Sequence, residues 1–332
     1  MDKIHAAITG VGGYIPEYVL DNDELARMVD TNDEWIMARI GIKERHILNE
    51  EGLGPSYMAR KAVKQLLRKT QTDPLSVDAL ILVTTTPDYG VPNTASIVIG
   101  QTGMQNAHGF DLNAACCGFL FAMEQAAAMI ESGRYQKVVV CASEKMSSII
   151  DYNDRSTCPL FGDGSAAVLV EPTTEDLGWK DSILRTDGKG LPYLVVKGGG
   201  SACTPSYYTI DNKLQYLHQE GRTVFKYAVT YMSDLSAQIV ARNQLKGDAL
   251  KWVIPHQANI RIIEAVANRL ELPAEKVLIN IQKYGNTSSA TLPLVLWDFE
   301  NKLKKGDNIL LTAFGAGFTY GAAYLTWAYD PK

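Results

Sequence analysis

Three sequence features recur in the same order in the two halves of the chain, and this repeat constrains the fold more than any other feature. Each half has a continuous apolar run, then a turn rich in small and polar residues, and then a glycine turn that leads into another apolar run. The paired segments are 79–84 (ALILVT) with 252–254 (WVI), 111–118 (DLNAACCG) with 279–289 (INIQKYGNTSS), and 161–170 (FGDGSAAVLV) with 314–325 (FGAGFTYGAAYL). Continuous apolar runs are typical of strands covered on both faces. The repeat therefore predicts a duplicated α/β fold, in which βα units surround buried sheets.

The boundary between the halves is predicted in a polar segment near the middle of the chain. Residues 171–181 include Pro172 and Gly178 and are mostly polar. With 332 residues, the chain is long enough to form two domains, or one large duplicated domain with an extensive core. We therefore expect an N-terminal half over residues 1–172 and a C-terminal half over residues 173–332, facing each other across one cleft.

Charge and cysteine content argue against several classes of protein. The 32 basic and 37 acidic residues give a net charge of −5, which does not favour a nucleic-acid partner. The first residues lack the basic and long apolar regions of a signal peptide, and no apolar run reaches membrane-spanning length. The five cysteines do not have zinc-type spacing, which argues against a metal site or a disulfide framework. We expect a cytoplasmic protein with reduced thiols and no membrane partner.

A glycine-rich segment near the N-terminus raises a dinucleotide-binding alternative. Residues 4–9 are predicted as a strand, 10–14 read GVGGY, and Asp30 has the spacing of a ribose-binding acid. That fingerprint has to open a helix, whereas Pro16 follows within a few residues. The mismatch disfavours nucleotide binding. Two short helices are predicted next, over residues 21–29 and from a cap at Thr31.

The segment 109–133 contains the first candidate catalytic residue, Cys116. Its pattern predicts a strand, a tight turn of small residues and a buried helix that ends near Gly133. A thiol at this turn lies at the positive end of a helix dipole, which would lower its pKa and favour the nucleophilic thiolate. The alternative is that Cys116 is a small buried apolar residue, as many free cysteines are.

Two further polar residues lie at equivalent turns in the second half. His256 follows the strand at 252–254, and Asn286 opens a helix after a strand predicted over 277–281. Turns of this kind meet at the carboxyl edge of a sheet. Near a helix N-terminus the imidazole of His256 should be neutral, so that it and the Asn286 amide can both donate hydrogen bonds to an oxyanion. The alternatives are a hydrogen-bonded core histidine and a helix cap. Together the residues predict thiol catalysis with an oxyanion site.

At these residues the chain resembles the β-ketoacyl-acyl carrier protein synthase III family, the initiating condensing enzymes of type II fatty acid synthesis in the thiolase superfamily. The motifs that support the resemblance are DTNDEWIMARIGIKERHI, DLNAACCGF, FGDGSAAV, EGRTVFKYAV, PHQANIRI, YGNTSSA and AFGAGFTYG, in family order. The resemblance covers nearly the whole chain. It implies a five-layered αβαβα thiolase fold, a homodimer, and a reaction that needs neither a cofactor nor a metal.

The resemblance also implies a reaction. An acyl group passes from acyl-CoA to Cys116, and malonyl-acyl carrier protein then loses CO2 to give an enolate that attacks the acyl thioester. His256 and Asn286 would polarise the malonyl thioester carbonyl. The backbone N–H groups of Cys116 and Ala316 would hold the other oxyanion, and Phe314 would crowd the malonyl carboxylate.

Substrate-binding residues are implied in the same way. Trp35 and Arg155 resemble the pair that stacks on the adenine of CoA, with Thr31 and Arg39 nearby. The residues expected to meet the acidic carrier protein are Arg222, Lys226, Gln257 and Arg261, although charges on a helix face are more often simply solvated.

Three positions depart from the family pattern: Cys117 and Ala316 replace smaller residues, and Val91 replaces a Phe at the acyl-pocket wall donated by the partner subunit. The smaller Val91 predicts starter acyl groups longer or more branched than acetyl.

Three other functions are compatible with parts of this pattern. A papain-like cysteine hydrolase also uses Cys, His and Asn. A related acyltransferase, or a polyketide- or quinolone-forming synthase, would share the same three residues within the superfamily. A catalytically inactive partner subunit is disfavoured, because all three polar residues are present.

Overall fold

A computed structural model describes residues 3–245 and 247–331. The strands are β1 His5–Tyr14, β2 Tyr18–Asp21, β3 Glu44–Ile47, β4 Ala79–Val83, β5 His108–Leu112, β6 Val138–Glu144, β7 Gly164–Thr173, β8 Gly178–Thr186, β9 Leu194–Val195, β10 His218–Gln219, β11 Trp252–Pro255, β12 Asn308–Gly315 and β13 Thr319–Thr326. The α-helices are α1 Asn22–Ala26, α2 Asp33–Arg39, α3 Pro55–Thr70, α4 Thr94–Thr102, α5 Gly118–Glu131, α6 Tyr207–Asp211, α7 Gly221–Arg242, α8 Ile260–Arg269, α9 Ile281–Tyr284 and α10 Thr291–Asp298.

Each half of the chain contributes one main sheet. The first sheet has the order β1-β7-β6-β4-β5, and the second has the order β11-β12-β13-β8. Strand β4 runs parallel to both β5 and β6, whereas β7 is antiparallel to β1 and β6. In the second sheet β11 is parallel to β12, and the other pairs are antiparallel. The parallel strands in each sheet are those that lead toward the predicted functional turns.

The layers are visible in how alternate residues of one strand pack. In β4, Leu80 and Leu82 pack with α3 and α4, whereas Ile81 and Val83 pack with α5 and α10. In the second sheet, Leu311 faces the same central cluster and Leu310 faces α7 and α8. The order is therefore helices, sheet, central helices, sheet, helices. This confirms the predicted five-layered αβαβα fold, and it means that the two halves share one core.

The short predicted elements were partly wrong. The strand expected over 277–281 is reduced to a single bridge between Val277 and Val253. The chain cannot continue the ladder, because the N–H groups of Asn280 and Ile281 donate instead to Gln257 Oε1. Helix α2 is capped by Asn32, whose side chain accepts from the Trp35 N–H at 2.8 Å, and not by Thr31.

The glycine-rich segment 10–14 lies within β1 and opens no helix. Its glycines allow α3 to approach closely, since a Cβ on Gly12 would lie 2.5 Å from the Ala62 carbonyl oxygen. Close packing thus accounts for the sequence that resembled a nucleotide fingerprint. Across the described ranges, no helix combines the length and the apolar character needed to cross a membrane.

Candidate active site

Cys116 lies between the end of β5 and the start of α5, in the 3-10 turn Ala115–Cys117. Ala115 has φ of 49°, a left-handed conformation that is costly for a residue with a side chain. The backbone of the second half lies close by, because a Cβ on Gly315 would lie 2.7 Å from the Cys116 nitrogen. The predicted strand, turn and helix are confirmed here, and both halves contribute to the surroundings of the sulfur.

The predicted lowering of the Cys116 pKa is wrong. Burial raises the pKa of the Cys116 thiol to about 12, and the nearby carboxylate of Glu144 raises it further, while a hydrogen bond with Ser288 lowers it. The Sγ of Cys116 lies 3.6 Å from Ser288 Oγ. The sequence argument considered only the helix terminus and omitted the loss of solvent around the sulfur. Without substrate, Cys116 is a neutral thiol.

His256 follows β11 and is only 2% exposed. Burial lowers the pKa of its imidazole to about 3, so the ring is neutral. Neutrality was predicted, but its cause is burial. The ring Nδ1 lies 2.6 Å from Thr291 Oγ1, and the same hydroxyl lies 3.1 Å from the Ser288 carbonyl oxygen. Thr291 therefore fixes one edge of the imidazole and leaves Nε2 as the other functional atom.

Asn286 is held by backbone and side-chain contacts together. Its N–H donates to the Leu160 carbonyl at 2.8 Å, and its own carbonyl accepts from Gly162 at 3.1 Å. Its Oδ1 accepts from the Ser288 N–H at 2.8 Å. Because a backbone N–H can only donate, the contacted atom is the oxygen. The side chain thus caps the following turn with its oxygen, and Nδ2 is left as the donor that an oxyanion site requires.

One cavity of about 710 Å³ brings the predicted groups together. Cys116, His256 and Asn286 all line it, with Phe314 and Ala316 beside them. The juxtaposition of three turns from both halves is the arrangement that the sequence predicted. Within the described ranges, no cluster of three or more His, Cys, Asp or Glu side chains could hold a metal ion.

The predicted CoA residues lie at the mouth of this cavity. Trp35 and Arg39 line it, and the guanidinium of Arg155 stacks 5.3 Å from the centre of the Trp35 ring. Arg155 also lies 3.6 Å from Asp30. The Thr31 hydroxyl is buried and has no hydrogen-bond partner among the described residues. An exposed indole stacked with a cation is a suitable platform for a nucleobase.

Three of the four predicted carrier-protein contacts are exposed near the cavity. Arg222 and Lys226 lie in the first turns of α7, and Arg261 lies in the first turn of α8. The Arg261 guanidinium lies 5.2 Å from the ring of Phe225, which lines the cavity. The basic side chains therefore surround the side of the mouth formed by the second half.

The fourth assignment, Gln257, is wrong. Its side chain is fully buried and cannot present itself to a partner protein. Its Nε2 donates to the Pro255 carbonyl at 2.6 Å, and its Oε1 accepts from the N–H groups of Asn280 and Ile281. Gln257 instead satisfies backbone groups where the predicted strand 277–281 breaks down.

Val91 is 88% exposed and does not line the cavity of its own chain. Its assignment to the acyl pocket of a partner subunit stays a prediction. Sequence reasoning missed Ser288 and Thr291, which contact Cys116 and His256, and Glu144, which accepts a hydrogen bond from Ser288. The only signals were a glutamate at the end of an apolar strand and a run of hydroxyl residues after Asn286.

Comparisons with known proteins point to one family. A family profile described as "3-Oxoacyl-acyl-carrier-protein (ACP) synthase III" matches residues 110–188, and its C-terminal counterpart matches residues 240–327. The chain is 67% identical over 332 residues to beta-ketoacyl-acyl-carrier-protein synthase III 2 of Bacteroides thetaiotaomicron, covering 100% of this chain and 99% of the relative.

Solved structures show the same fold. The 3-oxoacyl-acyl-carrier-protein synthase III of Aquifex aeolicus is 40% identical with a TM-score of 0.88, covering 97% of this chain and 100% of the other. A priming β-ketosynthase from the R1128 polyketide pathway is 31% identical with a TM-score of 0.89, covering 98% and 97%.

Proposed function

The chain belongs to the 3-oxoacyl-acyl-carrier-protein synthase III family, and we propose that it catalyses the initiating condensation of fatty acid synthesis through an acyl-Cys116 intermediate. The substrates are an acyl-CoA starter and malonyl-acyl carrier protein, and the product is 3-oxoacyl-acyl carrier protein. The observation that supports this most directly is the single cavity shared by Cys116, His256 and Asn286.

In the first half-reaction the sulfur of Cys116 attacks the acyl-CoA carbonyl. A new C–S bond forms, the bond to the CoA sulfur breaks, and the proton that Cys116 loses is balanced by the proton that CoA takes up as a free thiol. The backbone N–H groups of Cys116 and Ala316 would hold the oxyanion. A covalent intermediate allows CoA to leave before the second substrate enters.

In the second half-reaction the malonyl group loses CO2, and its thioester oxygen gains negative charge as the enolate forms. The enolate carbon then bonds to the acyl carbon, the C–S bond to Cys116 breaks, and the released thiolate takes up a proton from solvent. Asn286 Nδ2 and His256 Nε2 would donate to the enolate oxygen. Nε2 bears a hydrogen when Nδ1 accepts from the Thr291 hydroxyl, 2.6 Å away, which requires that hydroxyl to turn its one hydrogen away from the Ser288 carbonyl oxygen at 3.1 Å. Each such donor contributes about 3 kcal/mol to stabilising the transition state. Phe314, which is buried beside the cavity, would keep water away from the carboxylate.

The residues at the mouth of the cavity are suited to binding both CoA and the acyl carrier protein. The Trp35–Arg155 stack would bind the adenine of CoA, with Thr31 and Arg39 alongside. The exposed cations of α7 and α8 would attract an acidic carrier protein, which then inserts its pantetheine arm.

We further propose a homodimer and a cytoplasmic location. Strand β5 is the last strand of the first sheet, so one of its edges lacks a neighbour among the described residues. The exposed Val91 is available to a second copy. The free cysteines agree with a reducing compartment. The halves 1–172 and 173–332 are proposed as repeats of one core, since the central cluster draws on both.

A second candidate, a priming synthase for polyketide assembly, is favoured by the likeness to the R1128 enzyme. Both enzymes would form the same acyl-Cys116, and they would differ in the carrier protein used for condensation. Paired assays with fatty acid and polyketide carrier proteins would separate them.

The test is intact-mass detection of the acyl-enzyme formed from a mixed pool of acetyl-, branched- and medium-chain acyl-CoA. The wild type should gain one acyl group, Cys116→Ala should gain none, and the matched variant Cys117→Ala should still be labelled. Because Val91 is small, the acyl group found should be longer or more branched than acetyl. Labelling that persists in Cys116→Ala would contradict the proposal. So would continued hydrolysis of acyl-CoA to free acid, with release of more than one CoA per active site, in the absence of malonyl-carrier protein.

A further inference from the structure

Glu144 is a buried carboxylate that the proposed mechanism does not use. It ends β6, and its side chain is fully buried behind the cavity. Its Oε2 accepts from the Thr85 N–H at 2.9 Å and from the hydroxyls of Thr84, Thr85 and Thr86 at 3.3, 2.9 and 3.0 Å. Its Oε1 accepts from Ser288 Oγ at 3.1 Å and from Ser289 Oγ at 2.6 Å. This donor set is suited to an ionised carboxylate.

These contacts set the direction of the Ser288 hydroxyl. A serine hydroxyl has one hydrogen, and Ser288 donates it to Glu144 Oε1. Its lone pairs are then left for Cys116 Sγ, which lies 3.6 Å away and donates its S–H. Oriented in this way, Ser288 accepts from the thiol. It can donate to a thiolate, and so lower the pKa of Cys116, only by giving up its hydrogen bond to Glu144 Oε1.

Ser288 itself is held in a costly conformation, which shows that its position is strongly determined. Its φ is 52°, in the left-handed region. Its N–H donates to Asn286 Oδ1 and its carbonyl oxygen lies 3.1 Å from Thr291 Oγ1. These contacts fix the backbone of Ser288, and its hydroxyl is held by the hydrogen bond to Glu144 Oε1.

The other ionisable groups near Cys116 do not offset the charge of Glu144. His256 lines the same cavity and is neutral, because burial lowers its pKa. The adjacent Cys117 is a neutral thiol, because burial raises its pKa. Burial raises the pKa of Glu144 as well, although its hydroxyl and N–H donors oppose that shift.

We propose that Glu144 is a positioning residue that, by fixing the direction of the Ser288 hydroxyl, holds Cys116 as a neutral thiol in the free enzyme. The proposal rests on Cys116 being the nucleophile. In consequence the sulfur is guarded against alkylating and oxidising agents, and a thiolate develops only as the bond to the acyl carbonyl forms.

The variant Glu144→Gln gives a sharp test, because its amide can adopt only one orientation. The Thr85 N–H needs an oxygen acceptor, so the amide oxygen must take the place of Oε2 and the NH2 group must face Ser288 and Ser289. Their hydroxyls would then turn to accept, and the Ser288 hydrogen would point at Cys116. Loss of the negative charge and gain of a donor both favour the thiolate.

The measurement is iodoacetamide alkylation of Cys116 across pH, with the modified peptide located by mass spectrometry. In Glu144→Gln, Cys116 should be alkylated about tenfold faster than in the wild type at pH 7. The midpoint of the alkylation rate against pH should lie at least about one pH unit lower. Glu124→Gln is the matched control, since Glu124 is a half-buried acceptor for Trp179 and Ser182 that does not line the cavity. It should match the wild type.

Unchanged or slower alkylation in Glu144→Gln would overturn the proposal. If that variant fails to fold, Ser288→Ala decides. Removing a hydroxyl that only accepts from the thiol should leave alkylation of Cys116 as fast as in the wild type or faster, whereas slower alkylation would show that Ser288 donates to the thiolate and would overturn the proposal. Alkylation requires no acyl-CoA. Failure of the proposed function, seen as absent acyl labelling, is therefore distinguishable from failure of this inference.

Discussion

The turn that contains Cys116 and the turn that contains Asn286 occupy corresponding places in the duplicated fold, yet they are built differently. Before Cys116, β5 is a regular strand paired with β4. Before Asn286, the expected strand shrinks to one bridge at Val277, followed by the short helix α9. Both turns still include a residue in the left-handed region, Ala115 in one and Ser288 in the other.

The difference lies in what holds each turn. The turn at Cys116 is placed by the regular strand before it and by α5 after it, and the second half supports it through side chains, since Thr319 Oγ1 donates to the Ala114 carbonyl at 2.7 Å. Asn286 is held by the other half, because it forms a parallel bridge with Phe161 and hydrogen bonds with Leu160 and Gly162. Asn286 is thus placed by backbone pairing with residues 160–162 and not by a regular strand of its own sheet. The backbone of Asn286 therefore depends on pairing with the first half, whereas the backbone of Cys116 continues a strand of its own sheet and meets the second half mainly through side chains.

The largest effect should come from separating the two chemical roles. His256→Ala and Asn286→Ala each remove a proposed donor to the malonyl thioester oxygen, and each should slow condensation about 100-fold or more. Acylation of Cys116 should persist in both, because the proposed oxyanion donors for that step are the backbone N–H groups of Cys116 and Ala316, which neither substitution removes. Radiolabelled malonyl-carrier protein and intact-mass acylation measure the two steps on the same samples. Equal losses in both steps would break the comparison.

A smaller effect is expected from Gly162→Ala, which leaves every catalytic side chain unchanged. It disturbs the clamp on Asn286, by which we mean its backbone hydrogen bonds with Leu160 and Gly162. The new Cβ would lie 2.4 Å from the Tyr284 carbonyl oxygen and 3.1 Å from the Arg45 Cβ. Such overpacking lowers the free energy of unfolding by about 1–3 kcal/mol. Because the displaced Tyr284 lies two residues before Asn286, the rate of condensation should fall about tenfold, and the rate of Cys116 acylation should change little.

The matched control for that variant is Gly100→Ala in α4, where an added Cβ meets nothing within 4 Å. It should raise the free energy of unfolding by up to about 1 kcal/mol, because alanine favours a helix. Urea unfolding and the two half-reaction assays measure both variants. A Gly162→Ala enzyme with normal condensation would show that Asn286 does not depend on the clamp.

The same contrast explains what the sequence could predict. The buried strands β4 and β11 and the meeting of Cys116, His256 and Asn286 follow from the apolar runs and from where parallel strands end. Local patterns also suggested a strand over 277–281, and there they failed, because the deciding contacts come from Gln257 and residues 160–162, which are distant in sequence. The ionisation of Cys116 was mispredicted for a related reason: burial is a property of the assembled cavity and not of one helix end.

The smallest expected effect concerns the exposed charges that only the second half places around the mouth. Lys226→Glu and Arg261→Glu reverse charges that touch no reacting atom, so kcat and acylation should stay unchanged. The KM for malonyl-carrier protein should rise several-fold in each, because surface charges steer encounter. At 1 M salt the Debye length falls to about 3 Å, and the difference in KM from the wild type should shrink.

The matched control is Lys64→Glu, a charge reversal on the exposed side of α3 in the opposite outer layer, which should leave KM unaltered. An equal rise in KM for Lys64→Glu would mean that net charge attracts the carrier protein, and the asymmetry between the halves would then be confined to the catalytic groups.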